Sequence, residues 1–181
     1  MKIIKTTIPQ NSILYKNRLS YDYYDSYESA LMDAKNIITV CDAGESFVQP
    51  GPVWFENLMK LRDKIVSVLG LKTSDELIKG SCEKKHNWQP GEQAGILQVY
   101  KKTADEIILG ADDSHLNCRV SVMLSHSKTN PLQKIITVTT VVEYNNLLGH
   151  IYFFVIKPFH KACVPILLKK EFEQLELQKN L

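Results

Sequence analysis

The sequence predicts an α+β protein in which a curved antiparallel sheet of about six strands grips a long C-terminal helix. Three observations carry that reading. From residue 95 onward, apolar residues recur at every second position in segments rich in Val, Ile, Thr and aromatics, the pattern of half-buried strands. The connectors between those segments are short and carry turn chemistry, which makes consecutive strands antiparallel neighbours. After Pro158 the apolar spacing becomes helical. Such a sheet has a face to bury, and the terminal helix is its natural cover.

In chain order, residues 1–35 read as an N-terminal arm draped on the surface. Its "SYDYYDSYES" stretch (20–29) supplies rings to cover apolar surface or to rim a pocket. "NIITV" (36–40) reads as a strand bounded by "CDAGES". Residues 52–69 read as a helix: Pro52 suits its first position, and Trp54, Leu58, Leu61, Ile65, Val68 and Leu69 make one apolar stripe. Gly70 is placed to end it. Thr73 and Glu76 have capping-box spacing for a short helix over 74–79. Five strand candidates follow, at 95–101, 106–111, 116–125, 134–144 and 150–156. The final helix begins after Pro158, and Pro165 interrupts it. At 181 residues the chain is expected to be a single domain, 1–181.

Composition narrows the function classes. The net charge is +2 and no run of five like charges occurs, so nucleic acid is not an expected partner. The longest apolar run is six residues, so no membrane span is expected, and the start of the chain has no signal-peptide core. Cys41, Cys82, Cys118 and Cys163 form no CxxC pair. The expected location is therefore cytoplasmic.

Strand alternation gathers the polar candidates. Arg119 shares a face with Asn117 and Ser121, Glu143 with Val141, and Tyr152 with His150. If those faces line a cavity, Arg119, Glu143 and Tyr152 converge there; the other reading makes them solvent faces of a one-sided sheet. "DDSH" (112–115) offers the metal-ligand types Asp112, Asp113 and His115, but tight turns favour Asp and Ser in any case. No metal and no cofactor are expected. No nucleophile elbow, phosphate loop or HExxH motif is present. Cys163, three residues from His160, reads as core before it reads as nucleophile.

The segments "WFENLMKLRDKIVSVLGL" (54–71), "GADDSHLNCRVSV" (110–122) and "TVTTVVEYNNLLGHIYFFVIKPFHKACVPILLKK" (137–170) resemble the bacterial domain of unknown function 2867 family. The resemblance covers roughly residues 54–170. It implies a helix-grip fold similar to the START-like, polyketide-cyclase-like (SRPBCC) superfamily, and no settled activity. The signature positions it marks are Trp54, Arg62, Asp63, Gly110, Asp112, Asp113, His115, Arg119, Asn145, Gly149, Tyr152, Pro158 and His160. One departure is "NC" (117–118), where the family usually shows an acidic residue and an aromatic.

The resulting expectation is a binding protein for a small hydrophobic or amphipathic ligand, held in a cavity between sheet and helix. That cavity would be lined by Val99, Val122, Val141, Phe154 and Ile166. The alternatives are a cyclase- or hydrolase-like enzyme using an Asp/His/Arg cluster, and a non-catalytic interaction module. The candidate ligand-binding residues are Trp54, Asp113, His115, Arg119, Glu143, Tyr152 and His160. For His160, at the expected start of the last helix, two readings stand: a ligand-orienting group, or a tie between the helix start and the Asp113–His115 turn.

Overall fold

The computed structural model describes residues 1–52, 55, 60 and 86–180. Its strands are β1 (Ile4–Thr6), β2 (Tyr23–Met32), β3 (Gln93–Ala94), β4 (Leu97–Lys102), β5 (Glu106–Asp112), β6 (Leu116–His126) and β7 (Gln133–Tyr144). They form one curved antiparallel sheet in the order β1-β2-β7-β6-β5-β4-β3. Helix α1 (Val40–Phe47) and the long C-terminal helix α2 (Leu147–Asn180) complete the described elements, with a single 3₁₀ turn at Ile13–Asn17. The architecture is α+β and consistent with a helix grip.

The centre of the sheet is β7. It pairs with β6 from Leu116↔Tyr144 to His126↔Lys134, and with β2 from Tyr23↔Val142 to Met32↔Gln133. Residues 136–142 are all buried, on both faces. That explains why this strand reads as a β-branched run rather than a clean apolar–polar alternation.

The inner face is closed by the helices. Leu168, Phe172 and Leu175 of α2 are buried in one cluster with Leu31, Val122, Val138 and Trp88. Helix α1 joins them, begun by a capping box between Thr39 and Asp42. Its Gly44 lies against Trp88, where a Cβ would sit 2.8 Å from the indole. Earlier in α2, Tyr152 and Phe153 are buried in a second cluster with Tyr23 and Val142. Tyr152 and Leu168 would point roughly 160° apart on a straight helix. Pro158 and Pro165 lie between them, each removing a helical hydrogen bond where the axis can bend.

The outer face is covered differently. The arm before β2 lays Ile8 and Leu14 on Ile108 and Val141. A buried carboxylate fastens it: Glu106 of β5, 3% exposed, accepts hydrogen bonds from the hydroxyls of Ser12 and Ser121 and from the Ile13 N–H at 2.8 Å.

Three expectations change. The stretch 20–29 is mostly strand β2, not a draped arm; its tyrosines at 23 and 27 and Leu31 alternate onto the inner face. "NIITV" is not a strand, because Asp33 captures the Ile37 and Ile38 N–H groups and Asn36 turns left-handed at φ 51°. The loop is held further by Lys134, whose Nζ lies 2.7 Å from Asp33. "HIYFFVI" (150–156) is helical, not a strand: Asn146 accepts from the Gly149 N–H and caps a helix that starts at Leu147, ahead of Pro158. A short apolar run cannot by itself distinguish the two structures. The helices expected over 52–69 and 74–79, and Trp54 with them, lie outside the described residues.

Candidate functional site

Between the arm and the outer face of the sheet runs a groove of about 340 Å³. Its floor is apolar: Ile13, Leu14, Ile108 and Val141. Its polar groups are Asn17, Tyr21, Tyr100, Asn117, Arg119 and Glu143, with Lys101 also lining it. The register explains the convergence. Arg119 pairs with Val141, and Asn117 with Glu143, so Arg119 and Glu143 share one face on adjacent strands.

Arg119 is held rigidly. Its guanidinium donates to both oxygens of Asp112, at 2.6 and 3.0 Å, and to the Cys118 carbonyl at 2.8 Å. It stacks 3.7 Å over the Tyr100 ring, and the Tyr100 hydroxyl donates to Asp112 at 2.6 Å. Its aliphatic stem crosses Gly110, where a Cβ would lie 2.7 Å from Arg119 Cδ. The guanidinium hydrogen bond holds the Asp112 carboxyl below its usual range, outweighing burial. Glu143, by contrast, makes no hydrogen bond or ion pair among the described residues. Burial and the Glu143 charge together raise the Tyr21 phenol, against a smaller opposing effect of Arg119.

Asp113, His115 and Tyr152 meet elsewhere, on the turn where β6 begins and α2 lands. His115 is 4% exposed and stacks edge-on against Tyr152, ring centroids 4.9 Å apart. Its Nδ1 lies 3.5 Å from Asp113 Oδ2 without forming a hydrogen bond. The Asn145 N–H donates to the His115 carbonyl at 2.9 Å. The amides of Asn145 and Asn146 donate to the carbonyls of Asp113 and Ser114. A Cβ at Gly149 would lie 2.1 Å from the His115 carbonyl oxygen, so only glycine lets helix and turn touch. The group works as a lock between turn and helix.

These two constellations contain most of the described signature positions. Residues 19–167 match the family model described as Protein of unknown function (DUF2867). The chain belongs to the DUF2867 family. No curated protein and no solved structure matches it.

In this DUF2867 chain His160 joins neither constellation. It sits well inside α2, eight residues and roughly 12 Å of helix beyond Tyr152. Its Nε2 lies 3.3 Å from Asp25 of β2, a carboxylate 2% exposed that also accepts from the Tyr23 hydroxyl at 2.7 Å. His160 thus ties helix to strand, but to β2 rather than to the Asp113–His115 turn. Burial opposes the Asp25 charge, yet the hydrogen bonds from His160 and Tyr23, with Lys5 nearby, outweigh it and hold the carboxyl below its ordinary value. Burial raises the Cys163 thiol above its ordinary value.

The five residues expected to line a cavity fall on three surfaces. Val99 and Val122 are in the inner core, Val141 is in the outer one, and Phe154 and Ile166 are exposed on α2. Another concavity, of about 310 Å³, lies between Met32 and the end of α2, where the Asn180 amide already donates to Met32 and Glu176. Among the described residues no three His, Cys, Asp or Glu side chains are grouped to hold a metal ion.

Sequence reasoning missed Asp25 and Glu106. Alternation of Tyr23, Asp25, Tyr27 and Leu31 could have exposed the first. Glu106 opens a strand as an ordinary surface glutamate would, and only the returning arm buries it.

Proposed function

We propose that this DUF2867 chain is a small-molecule binding protein that seats an amphipathic ligand in the outer groove, with Arg119 and Glu143 meeting its polar group. The observation that carries this is Glu143, a carboxylate with no hydrogen bond or ion pair among the described residues, beside fixed donors and above an apolar floor. Arg119 is neutralised by Asp112, so it offers direction and a stacking plane more than free charge. The proposal keeps the ligand class expected from sequence and moves its seat from the sheet–helix interface to the opposite face. The grip of the sheet on α2 supports kinship with the START-like superfamily. Bacterial origin and a cytoplasmic location belong to the same reading, on the family resemblance and the cysteine spacing.

Native mass spectrometry of the purified full chain tests it. A retained small molecule that disappears in Glu143→Gln, with Tm unchanged, is the expected result. A molecule retained equally by the wild type and by Glu143→Gln would place the ligand elsewhere.

A further inference from the structure

The first half of α2 carries an apolar face that nothing described covers. Leu147, Ile151, Phe154, Pro158, Ala162 and Ile166 recur at spacings of three and four, and all six are exposed. Phe154 is 81% exposed and Leu147 73%. Such a stripe on a folded chain marks a surface that meets another apolar phase. By length and composition α2 could cross a membrane, yet its other side is committed to the sheet through Tyr152, Phe153, Leu168 and Phe172. A helix so placed is suited to lie along an interface rather than to cross it.

The charges select the occupant. From Leu147 to Lys170 the helix has Lys157, Lys161, Lys169 and Lys170 and no Asp or Glu. Lys169 and Lys170 lie within 3.9 Å of Glu173 and Glu171. Lys157 and Lys161 border the stripe on the side of the Tyr23 ring and have no acidic partner among the described residues. The acidic residues of α2 begin at Glu171, just past the end of the stripe. We infer that this face of α2 docks on an anionic lipid surface, its Leu, Ile and Phe side chains entering the acyl boundary while Lys157 and Lys161 meet the headgroups. Interfacial helices combine these two features. A second copy crossing on the same stripe would bring the two pairs of lysines together, which disfavours self-association. The inference is independent of the groove.

Flotation of the full chain with lipid vesicles tests it. The probes are phosphatidylcholine alone and phosphatidylcholine with phosphatidylglycerol at roughly 3:1. The wild type is expected to float with the anionic vesicles and to partition at least about tenfold less onto the neutral ones. Lys157→Gln and Lys161→Gln should each lower anionic partitioning roughly fivefold. Phe154→Asp should abolish flotation while leaving Tm unchanged, since its side chain touches little of the fold. Equal partitioning onto both vesicle types, no flotation with either, or flotation unaffected by Phe154→Asp overturns the inference. A dimer in sedimentation velocity that Phe154→Asp dissolves would assign the face to a second copy and also overturn it.

Discussion

The two faces of the sheet are finished by different means. The inner face is covered by helices whose large side chains interdigitate with strand residues, as Phe172 does against the cluster containing Leu31 and Val138. The outer face is covered by an arm with little secondary structure, which lays two buried residues, Ile8 and Leu14, on the sheet and relies on Glu106 for anchorage. A helix covers a sheet with apolar area and fills it. An arm covers only part of it and leaves a groove along its edge, walled by polar residues. Stability is therefore concentrated on the inner side, and the groove proposed to bind a ligand lies on the outer.

Substitutions on each side sharpen that contrast. Phe172→Ala should destabilise the protein by about 4 kcal/mol in urea unfolding, from a large side chain removed without collapse of the site. Glu106→Ala should cost about 3 kcal/mol, because two hydroxyls and an N–H are left buried without an acceptor. Unlike the core variant, it should also make the arm before β2 sensitive to protease while the rest of the fold stays resistant. If Glu106→Ala cost as much as Phe172→Ala and exposed the whole chain to protease, the arm would be part of one cooperative core and the contrast would fail.

His160→Ala should cost about 2 kcal/mol, the scale of a hydrogen bond to a buried charge. The pH dependence has a definite sign. Asp25 has a folded pKa below its unfolded value, so its contribution is complete above about pH 4 and is lost as pH falls through the folded pKa. Asp25→Asn should flatten that acid limb in denaturant titrations taken at successive pH values. Glu143→Gln should produce the smallest stability change, within about 0.5 kcal/mol, since the carboxylate makes no hydrogen bond or ion pair among the described residues. A large loss of stability there would make it a structural residue.

The sequence makes the meander β4–β7 legible because its strands are rich in β-branched and aromatic residues and are joined by short connectors with turn chemistry. It makes the final helix legible only from its second half. "HIYFFVI" has a strand's composition, and only the Asn146 cap and the contact between Gly149 and the His115 carbonyl decide it. Arg119 and Glu143 are found together as alternation implied, since register across neighbouring strands is a local property. The meeting of His160 with Asp25 is not legible, because it depends on β2 returning beside β7 and on how far α2 extends back. Asp113, His115 and Tyr152 carry residue types that suit a ligand site, and their neighbours make them a lock between turn and helix. A residue type can suit binding and fastening equally, and only its partners separate the two.

The pairing of β2 with β7 has a kinetic consequence. Strand β2 finds its central partner only after more than a hundred intervening residues, as Ser26 does with Thr139. On the ribosome, β2 emerges early with one long edge unpaired and must wait until the last strand has left the exit tunnel. Folding is then expected to be slow for a chain of this size, limited by one late long-range closure. During synthesis the unpaired edge of this tyrosine-rich strand is expected to be open to mispairing.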